Sequence, residues 1–281
     1  MKKLNTSITL LTLSLLFLSI ILYPNKASSQ LIDSPIKPVQ VIIHDWEIGA
    51  FIGLGANFNS GEYSAVCQEC IFDDLSDFGY TIGVKTDYQL TNNIFVGANI
   101  LYENQMTKGA FRRIESVPLQ REDGTILDVP IEFRHNLELD LNALTLSPNL
   151  TYRINRFLDF KLGFYADFNI NSNIMHKKTL LTTSTILPDG EKVEVSIAGE
   201  QNNSVILEDY EIPELSSLQY GLIPQINFNI KLSESTDLLI GGFYKIPFTE
   251  IASNQTLKVN VWRIFLGFSF DINDDSQEFG H

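Results

Sequence analysis

Past residue 23 the chain has no apolar run approaching the roughly 20 residues that a membrane-crossing helix requires. A helical membrane protein is therefore excluded. No cysteine follows the one apolar run near the N-terminus, which argues against a lipoprotein anchor. Basic residues are scarce: 20 Lys and Arg stand against 34 Asp and Glu, for a net charge of −14. Phosphates would be repelled, so nucleic acid is not a partner. There are only two cysteines, Cys67 and Cys70, and four histidines, His44, His135, His176 and His281. Neither set forms a recognisable catalytic or metal-binding motif, and no cofactor is expected.

The N-terminal run is an export signal in form. Lys2 and Lys3 supply a basic start, Ile8–Tyr23 is apolar over 16 residues, and Ala27 and Ser29 place small side chains where a signal peptidase cuts. Residues 1–29 are read as a signal peptide, with maturation at Gln30. Loss of Lys2, Lys3 and Lys26, and of no acid, takes the charge from −14 to −17. Residues 30–45 then form a periplasmic N-terminal segment, 46–272 the folded body, and 273–281 a periplasmic tail.

What the chain does have is alternation with period 2, in eight segments of one parity. The last shows it best: Trp262, Ile264, Leu266, Phe268, Phe270 and Ile272 alternate with Arg263, Phe265, Gly267, Ser269 and Asp271. Successive side chains of a strand point to opposite faces, so each segment has one apolar and one polar face. No helix or second sheet is present to cover the apolar faces. A closed barrel turns them to lipid. The expected strands are Trp46–Phe58, Gly79–Leu90, Ile94–Gln105, Asn142–Ile154, Phe157–Ile170, Leu218–Lys231, Leu238–Ile246 and Val259–Ile272.

Connections alternate between short (Thr91–Asn93, Asn155–Arg156, Leu232–Asp237) and long (Asn59–Phe78, Met106–Leu141, Asn171–Ser217, Pro247–Lys258). That is the asymmetry of short periplasmic turns and long extracellular loops. Two long connections carry Asp-Gly turn signals, at Arg121–Gly124 and Pro188–Gly190, and are expected to continue as hairpins above the membrane. Pro148 and Pro224 fall mid-strand, where each removes a ladder hydrogen bond and suggests a bulge or kink. Leu137, Leu139 and Leu141 have the wrong parity for a lipid-facing strand. A bulge near Asp140–Ala143, or a strand already clear of the membrane, would account for them. The fold class expected is all-β: an eight-stranded antiparallel transmembrane β-barrel.

The opening Trp46-x-x-Gly49-Ala50-Phe51-x-Gly53-Leu54-Gly55 strand, the eight-strand plan and the aromatic-rich last strand resemble small outer-membrane β-barrel proteins. The likeness is to the OmpA/OmpX type, and in particular to the barrel-only, PorT-like proteins of Bacteroidetes. The resemblance implies a bacterial outer-membrane location, outer-membrane lipid as surroundings and the assembly machinery as a partner during biogenesis. It covers residues 46–272. Phe268 and Phe270 fit the aromatic-x-aromatic ending of such strands, although Asp271–His281 follow. After Ile272 the sequence has no room for the peptidoglycan-binding domain of the OmpA type.

The polar parity assigns twelve charges to the barrel interior: Glu47, Asp87, Glu103, Asp159, Asp167 and Asp271 against Lys85, Arg153, Lys161, Lys231, Lys245 and Arg263. Six acids balance six bases. Eight strands leave a lumen that side chains can fill, so a salt-bridged plug is favoured over an ion path. Glu47 is a candidate partner of Arg263, since the first and last strands must adjoin.

Three further groups bear on chemistry. Cys67-x-x-Cys70 suits a loop disulfide in an oxidising compartment, whereas zinc would need two more ligands. Glu62, Glu69, Asp73, Asp74 and Asp77 share that loop, but no calcium-loop motif organises them, so a solvated acidic face is the expected reading. His135 and His176 could approach the outer rim with Ser184 or Ser204, as rim enzymes require, yet their spacing is unremarkable. No catalytic residue and no metal site is assigned. The expected role is non-enzymatic, structural or surface-interacting, with an extracellular or envelope protein partner for the loops. The alternatives are a small passive pore or transport and secretion component, and then a rim enzyme acting on lipid or protein.

Overall fold

The structure, a computed structural model, describes residues 46–272 apart from 66–69, 121–123, 188–189, 198–202 and 234. The segments read as export signal, N-terminal periplasmic segment and C-terminal tail lie outside the described residues. In chain order the strands are β1 (Trp46–Ser60), β2 (Tyr63–Ser64), β3 (Ile71–Phe72), β4 (Ser76–Gln89), β5 (Ile94–Asn104), β6 (Thr107–Gln120), β7 (Ile126–Asn155), β8 (Leu158–Leu180), β9 (Ser184–Ile186), β10 (Lys192–Glu194), β11 (Ser204–Tyr210), β12 (Leu218–Lys231), β13 (Thr236–Pro247) and β14 (Lys258–Ile272).

Eight of these strands close a ring in the order β1, β4, β5, β7, β8, β12, β13, β14 and back to β1, with every neighbour antiparallel. Closure pairs Trp46 with Ile272 and Ser60 with Lys258, so no strand edge of the ring is left open. Even-numbered side chains on the ring face outward and odd-numbered ones inward. Ile52, Leu54, Ile82, Val84, Ile100, Leu150, Leu162 and Ile264 form part of a continuous exposed apolar band. Aromatic girdles bound it. Trp46 and Tyr88, with ring centroids 4.9 Å apart, stand at the short-turn end. Tyr80 and Tyr102 mark the other end, at 6.3 Å.

β7 and β8, of 30 and 23 residues, far exceed the roughly 9–11 a membrane strand needs. Their distal halves leave the ring and, with β6 and β11, form a four-stranded sheet ordered β6–β7–β8–β11 at the long-connection end. The β6–β7 hairpin turns at Gly124, where φ is +85°, and β9–β10 turns at Gly190, where φ is +88°. Both are left-handed positions that a glycine adopts without a Cβ clash. The hairpins expected above the membrane at these two signals are present, although Arg121–Asp123, Pro188 and Asp189 themselves lie outside the described residues.

The wrong-parity leucines are explained by the second proposed cause, a strand already clear of the membrane, since β7 keeps its odd-inward parity without a break. Leu137, Leu139 and Leu141 lie beyond the girdle and are fully buried in the core of the extension. The bulge sits on the partner strand: Asn142 pairs with Asn171 but Ala143 with Asn169, so Ile170 is the extra residue. Above Ile170 the parity of β8 inverts, and Ser172, Ile174, His176 and Leu180 turn inward. Outside the membrane such burial is driven by water, at roughly 1.5–3 kcal/mol for each large aliphatic side chain. Neither proline makes a bulge. The sum of paired numbers is constant through Pro148 and Pro224; the β7–β8 ladder skips Ser147 and Pro148, and the β12–β13 ladder skips Ile223 and Pro224. An N–H is missing on one side while the register holds.

Candidate functional site

The lumen is organised in layers. Near the short turns, Lys161 Nζ lies 2.9 Å from Asp87 Oδ1, and Lys85 Nζ lies 3.3 Å from Asp87 Oδ2 and 3.4 Å from Glu47 Oε2. Arg153 closes the chain, at 2.7 Å from Glu47 Oε1 and 3.1 Å from Asp159 Oδ1, and Asn229 donates to the other Asp159 oxygen at 2.7 Å. The Arg153 guanidinium also caps the Phe95 ring at 4.2 Å. Three acids thus meet three bases.

Above them lies an apolar layer of Phe51, Leu101, Tyr165, Ile223, Leu239, Phe243 and Phe265. Phe51 and Phe265 touch with centroids 4.8 Å apart. They fit because the positions opposite carry no side chain. A Cβ on Gly83 would lie 2.7 Å from Phe51 Cζ, and one on Gly241 would lie 2.4 Å from Phe265 Cζ.

A second polar layer follows toward the long connections. Lys245 Nζ is ion-paired with both Glu103 and Asp167, the latter at 2.7 Å. The Thr145 hydroxyl lies 2.7 Å from Glu103 and 2.6 Å from Asp167, and Gln105 donates to Asp167 at 3.1 Å. Arg263 differs from the other bases. Its donors go to neutral oxygens: Thr81 Oγ1 at 3.1 Å, Asn57 Oδ1 at 2.7 Å and the carbonyls of Asn104, Ala56 and Trp262 at 2.8–3.2 Å.

Ten of the twelve charges read as inward therefore stand in two layers. Lys231 is a correction: it is exposed, because β12 ends there and the lumen opens to solvent. Asp271, opposite Glu47 at the same end, is half-buried. The pairing of Arg263 with Glu47 is also corrected. β1 and β14 do adjoin, but Glu47 and Arg263 occupy different layers, with Phe51 and Phe265 between them.

A third polar group lies outside the ring, and sequence spacing did not find it. The β6–β7–β8–β11 sheet carries Glu115, His135, His176 and Glu208 in a row across one face. His135 Nδ1 faces His176 Nε2 at 3.0 Å. The outer nitrogens are each set against a carboxylate: His135 Nε2 against Glu115 Oε1 at 3.0 Å, and His176 Nδ1 against Glu208 Oε2 at 3.4 Å. Lys178 pairs with the other Glu115 oxygen, and Tyr210 donates to Glu208 Oε1 at 2.9 Å. The loop of β2 and β3 covers the pair: Cys70 Sγ lies 3.6 Å from His135 Nδ1, and Phe72 meets His176 edge-on. Burial holds both imidazoles below the ordinary histidine value, outweighing the carboxylates that would raise them, so both are neutral at neutral pH.

Ser184 and Ser204 do not join this group, and the Ser204 hydroxyl lies 3.1 Å from that of Thr179. Asp77 is paired with Lys108 at 3.3 Å, and Glu69 lies outside the described residues. Among the described residues, Cys70, His135 and His176 are the only group of three or more His, Cys, Asp or Glu side chains whose ligand atoms converge, and Glu62, Asp73, Asp74 and Asp77 are not part of it. Cys67, expected in a loop disulfide with Cys70, lies outside the described residues.

The family model for the outer membrane protein beta-barrel domain matches residues 28–273. The chain belongs to this family. Membership places it in the bacterial outer membrane, in accord with its lipid-facing band. No curated protein matches the chain. Among solved structures, Neisserial surface protein A is similar at 11% identity, covering 81% of this chain and 97% of that one, with a TM-score of 0.37. OprG from Pseudomonas aeruginosa is similar at 13% identity, 83% and 97% coverage, and a TM-score of 0.37. Ail of Yersinia pestis is similar at 12% identity, 80% and 98% coverage, and a TM-score of 0.31.

Proposed function

We propose that this outer-membrane barrel is a non-enzymatic surface protein. Its ring serves as a closed anchor, and its extended sheet meets an extracellular or envelope protein partner. The observation that carries this reading is the run of β7 and β8 past the aromatic girdle into a sheet with its own core. A protein that only had to cross the bilayer would need neither that length nor the second core of Val129, Ile131, Phe133, Leu180, Leu187 and Val195 at its tip. On the outside of this sheet Ile114, Ile126 and Ile206 are more than half exposed, as is Ile186 on the neighbouring β9–β10 hairpin. They are apolar handles of the kind that mark contact surfaces.

The lumen supports an anchor over a pore. Arg263, Tyr165, Phe95, Lys161, Lys245 and Phe265 are among the largest fully buried side chains, and all six point into it. Two measurements test the reading. Purified barrel in planar bilayers is expected to pass no steady current. Epitopes inserted at Gly124 or Gly190 are expected to be reached by antibody on intact cells, and epitopes at Asn155 or Ser235 are not. A large stable ion-selective conductance would replace the anchor with the pore, and the reverse labelling would place the sheet in the periplasm.

A further inference from the structure

Beside the row of Glu115, His135, His176 and Glu208, the Cys70 sulfur and one nitrogen of each histidine converge with the spacing of metal ligands. In a tetrahedral zinc site, with nitrogen ligands at about 2.0–2.1 Å and sulfur at about 2.3 Å, neighbouring nitrogens stand ~3.3 Å apart and nitrogen and sulfur ~3.5 Å apart. Here His135 Nδ1 and His176 Nε2 are 3.0 Å apart, and Cys70 Sγ is 3.6 Å from His135 Nδ1. All three ligand atoms lie within 4.8 Å of one another, and the three residues are buried. The surround resembles that of metal-bound histidines: His135 turns its far nitrogen into a hydrogen bond with Glu115, and the far nitrogen of His176 lies 3.4 Å from Glu208.

We propose that Cys70, His135 and His176 form a binding site for a borderline-soft divalent cation of the Zn²⁺ class, filled in the thiol form of the protein. Cys70 is disulfide-bonded in this structure, and a disulfide sulfur is a poor ligand beside a thiolate. A thiol or phosphine reductant supplies two electrons, and two protons complete the conversion of the disulfide to two thiols. The cation then displaces the Cys70 thiol proton to solvent and takes the thiolate and the two imidazole nitrogens. The site joins β7 and β8 of the extension to the β2–β3 loop, so metal binding ties the cover of the sheet to its core. With the disulfide closed, two imidazoles remain and the cation is lost. Metal occupancy at the membrane surface is thus coupled to thiol redox state.

The test uses the full chain folded in detergent, with heat-dependent gel migration as the control for a closed barrel. Co²⁺ is the probe. The reduced protein is expected to bind one equivalent, with a thiolate-to-metal charge-transfer band and the intense visible bands of a tetrahedral ion, and Zn²⁺ is expected to displace it. The oxidised protein, together with Cys70→Ser, His135→Ala and His176→Ala in reductant, is expected to bind at least ~100-fold more weakly. Glu115→Gln, which leaves the ligands in place, is expected to lose about 10–100-fold. Binding by the reduced protein no tighter than by the oxidised protein overturns the proposal. So does an octahedral Co²⁺ spectrum without the charge-transfer band, and neither result depends on a variant folding.

Discussion

Lys161 on β8 reaches across the lumen to place its ammonium 2.9 Å from Asp87 Oδ1 on β4, three positions away around the ring. No backbone hydrogen bond links these strands. The ion pair, with Lys245 bridging β13 to Glu103 on β5 in the layer above, braces the ring from inside. Charges this deeply buried are tolerable only while paired and hydrogen-bonded.

The two braces differ in how much they leave behind when broken. Lys245→Met strands two buried carboxylates, Glu103 and Asp167, and is expected to cost about 3–5 kcal/mol, the usual range for breaking a buried pair. Lys161→Met is expected to cost less, because Lys85 remains 3.3 Å from Asp87. Denaturant unfolding of the folded barrel in detergent measures both. Equal losses would mean that Lys85 does not compensate.

Arg263 is held by neutral oxygens, so Arg263→Met leaves unsatisfied acceptors instead of an orphaned carboxylate. The expected loss is about 1–3 kcal/mol. Because Glu47 lies in the other layer, a double-mutant cycle of Arg263→Met with Glu47→Gln is expected to be additive within about 0.5 kcal/mol. The cycle of Arg153→Met with Glu47→Gln is expected to show clear coupling across their 2.7 Å contact. Coupling in the first cycle and not in the second would reverse the layer assignment.

How far the sequence could be read follows from what each face touches. β12 is bounded by the residues expected from alternation, Leu218 and Lys231, because lipid on one side and a packed lumen on the other enforce period 2 along its whole length. β7 is read only from Asn142, although it starts at Ile126. Above Ala143 its apolar residues face a protein core, so they take the parity that belongs to charges lower down. β6 goes unread for the same reason. Lys231 keeps the inward parity, but it stands where the lumen ends, a depth that periodicity does not encode. The meeting of His135 with His176 is the least legible feature. Its register depends on a single extra residue, Ile170, and on a ladder that continues far beyond the membrane.

The apolar middle layer makes its own prediction. A Cβ on Gly241 would lie 2.4 Å from Phe265 Cζ, and Phe265 is in turn packed against Phe51 and Phe243. Gly241→Ala is therefore expected to overpack the lumen and cost about 1–3 kcal/mol, read as a lower unfolding midpoint. Gly124→Ala, with nothing within 4 Å of the added Cβ, meets only the strain of its positive φ at the hairpin tip and is expected to leave barrel unfolding unchanged. A silent Gly241→Ala would mean that the aromatic layer is loose enough to admit a methyl group, and the case for a closed lumen would weaken with it.

Deleting Ile170 tests the division between ring and extension. The residue is an outward-facing bulge, 61% exposed, and removing it restores unbroken alternation to β8. Below the deletion every ladder pair of the ring is untouched, so the barrel is expected to assemble and to keep its heat-dependent migration. Above it, Asn171 takes the outward place next to Asn169, so Ser172, Ile174, His176 and Leu180 keep their inward facing and the β7–β8 ladder becomes continuous. The extension is expected to keep its packing, and protease is expected to cut within residues 171–217 at rates close to those of the unaltered protein, while the ring stays resistant. If the deletion abolishes the heat-dependent migration, the ring depends on the bulge for folding. Faster cutting within 171–217 would show that the extension depends on the local bend that the bulge introduces and not on strand pairing alone.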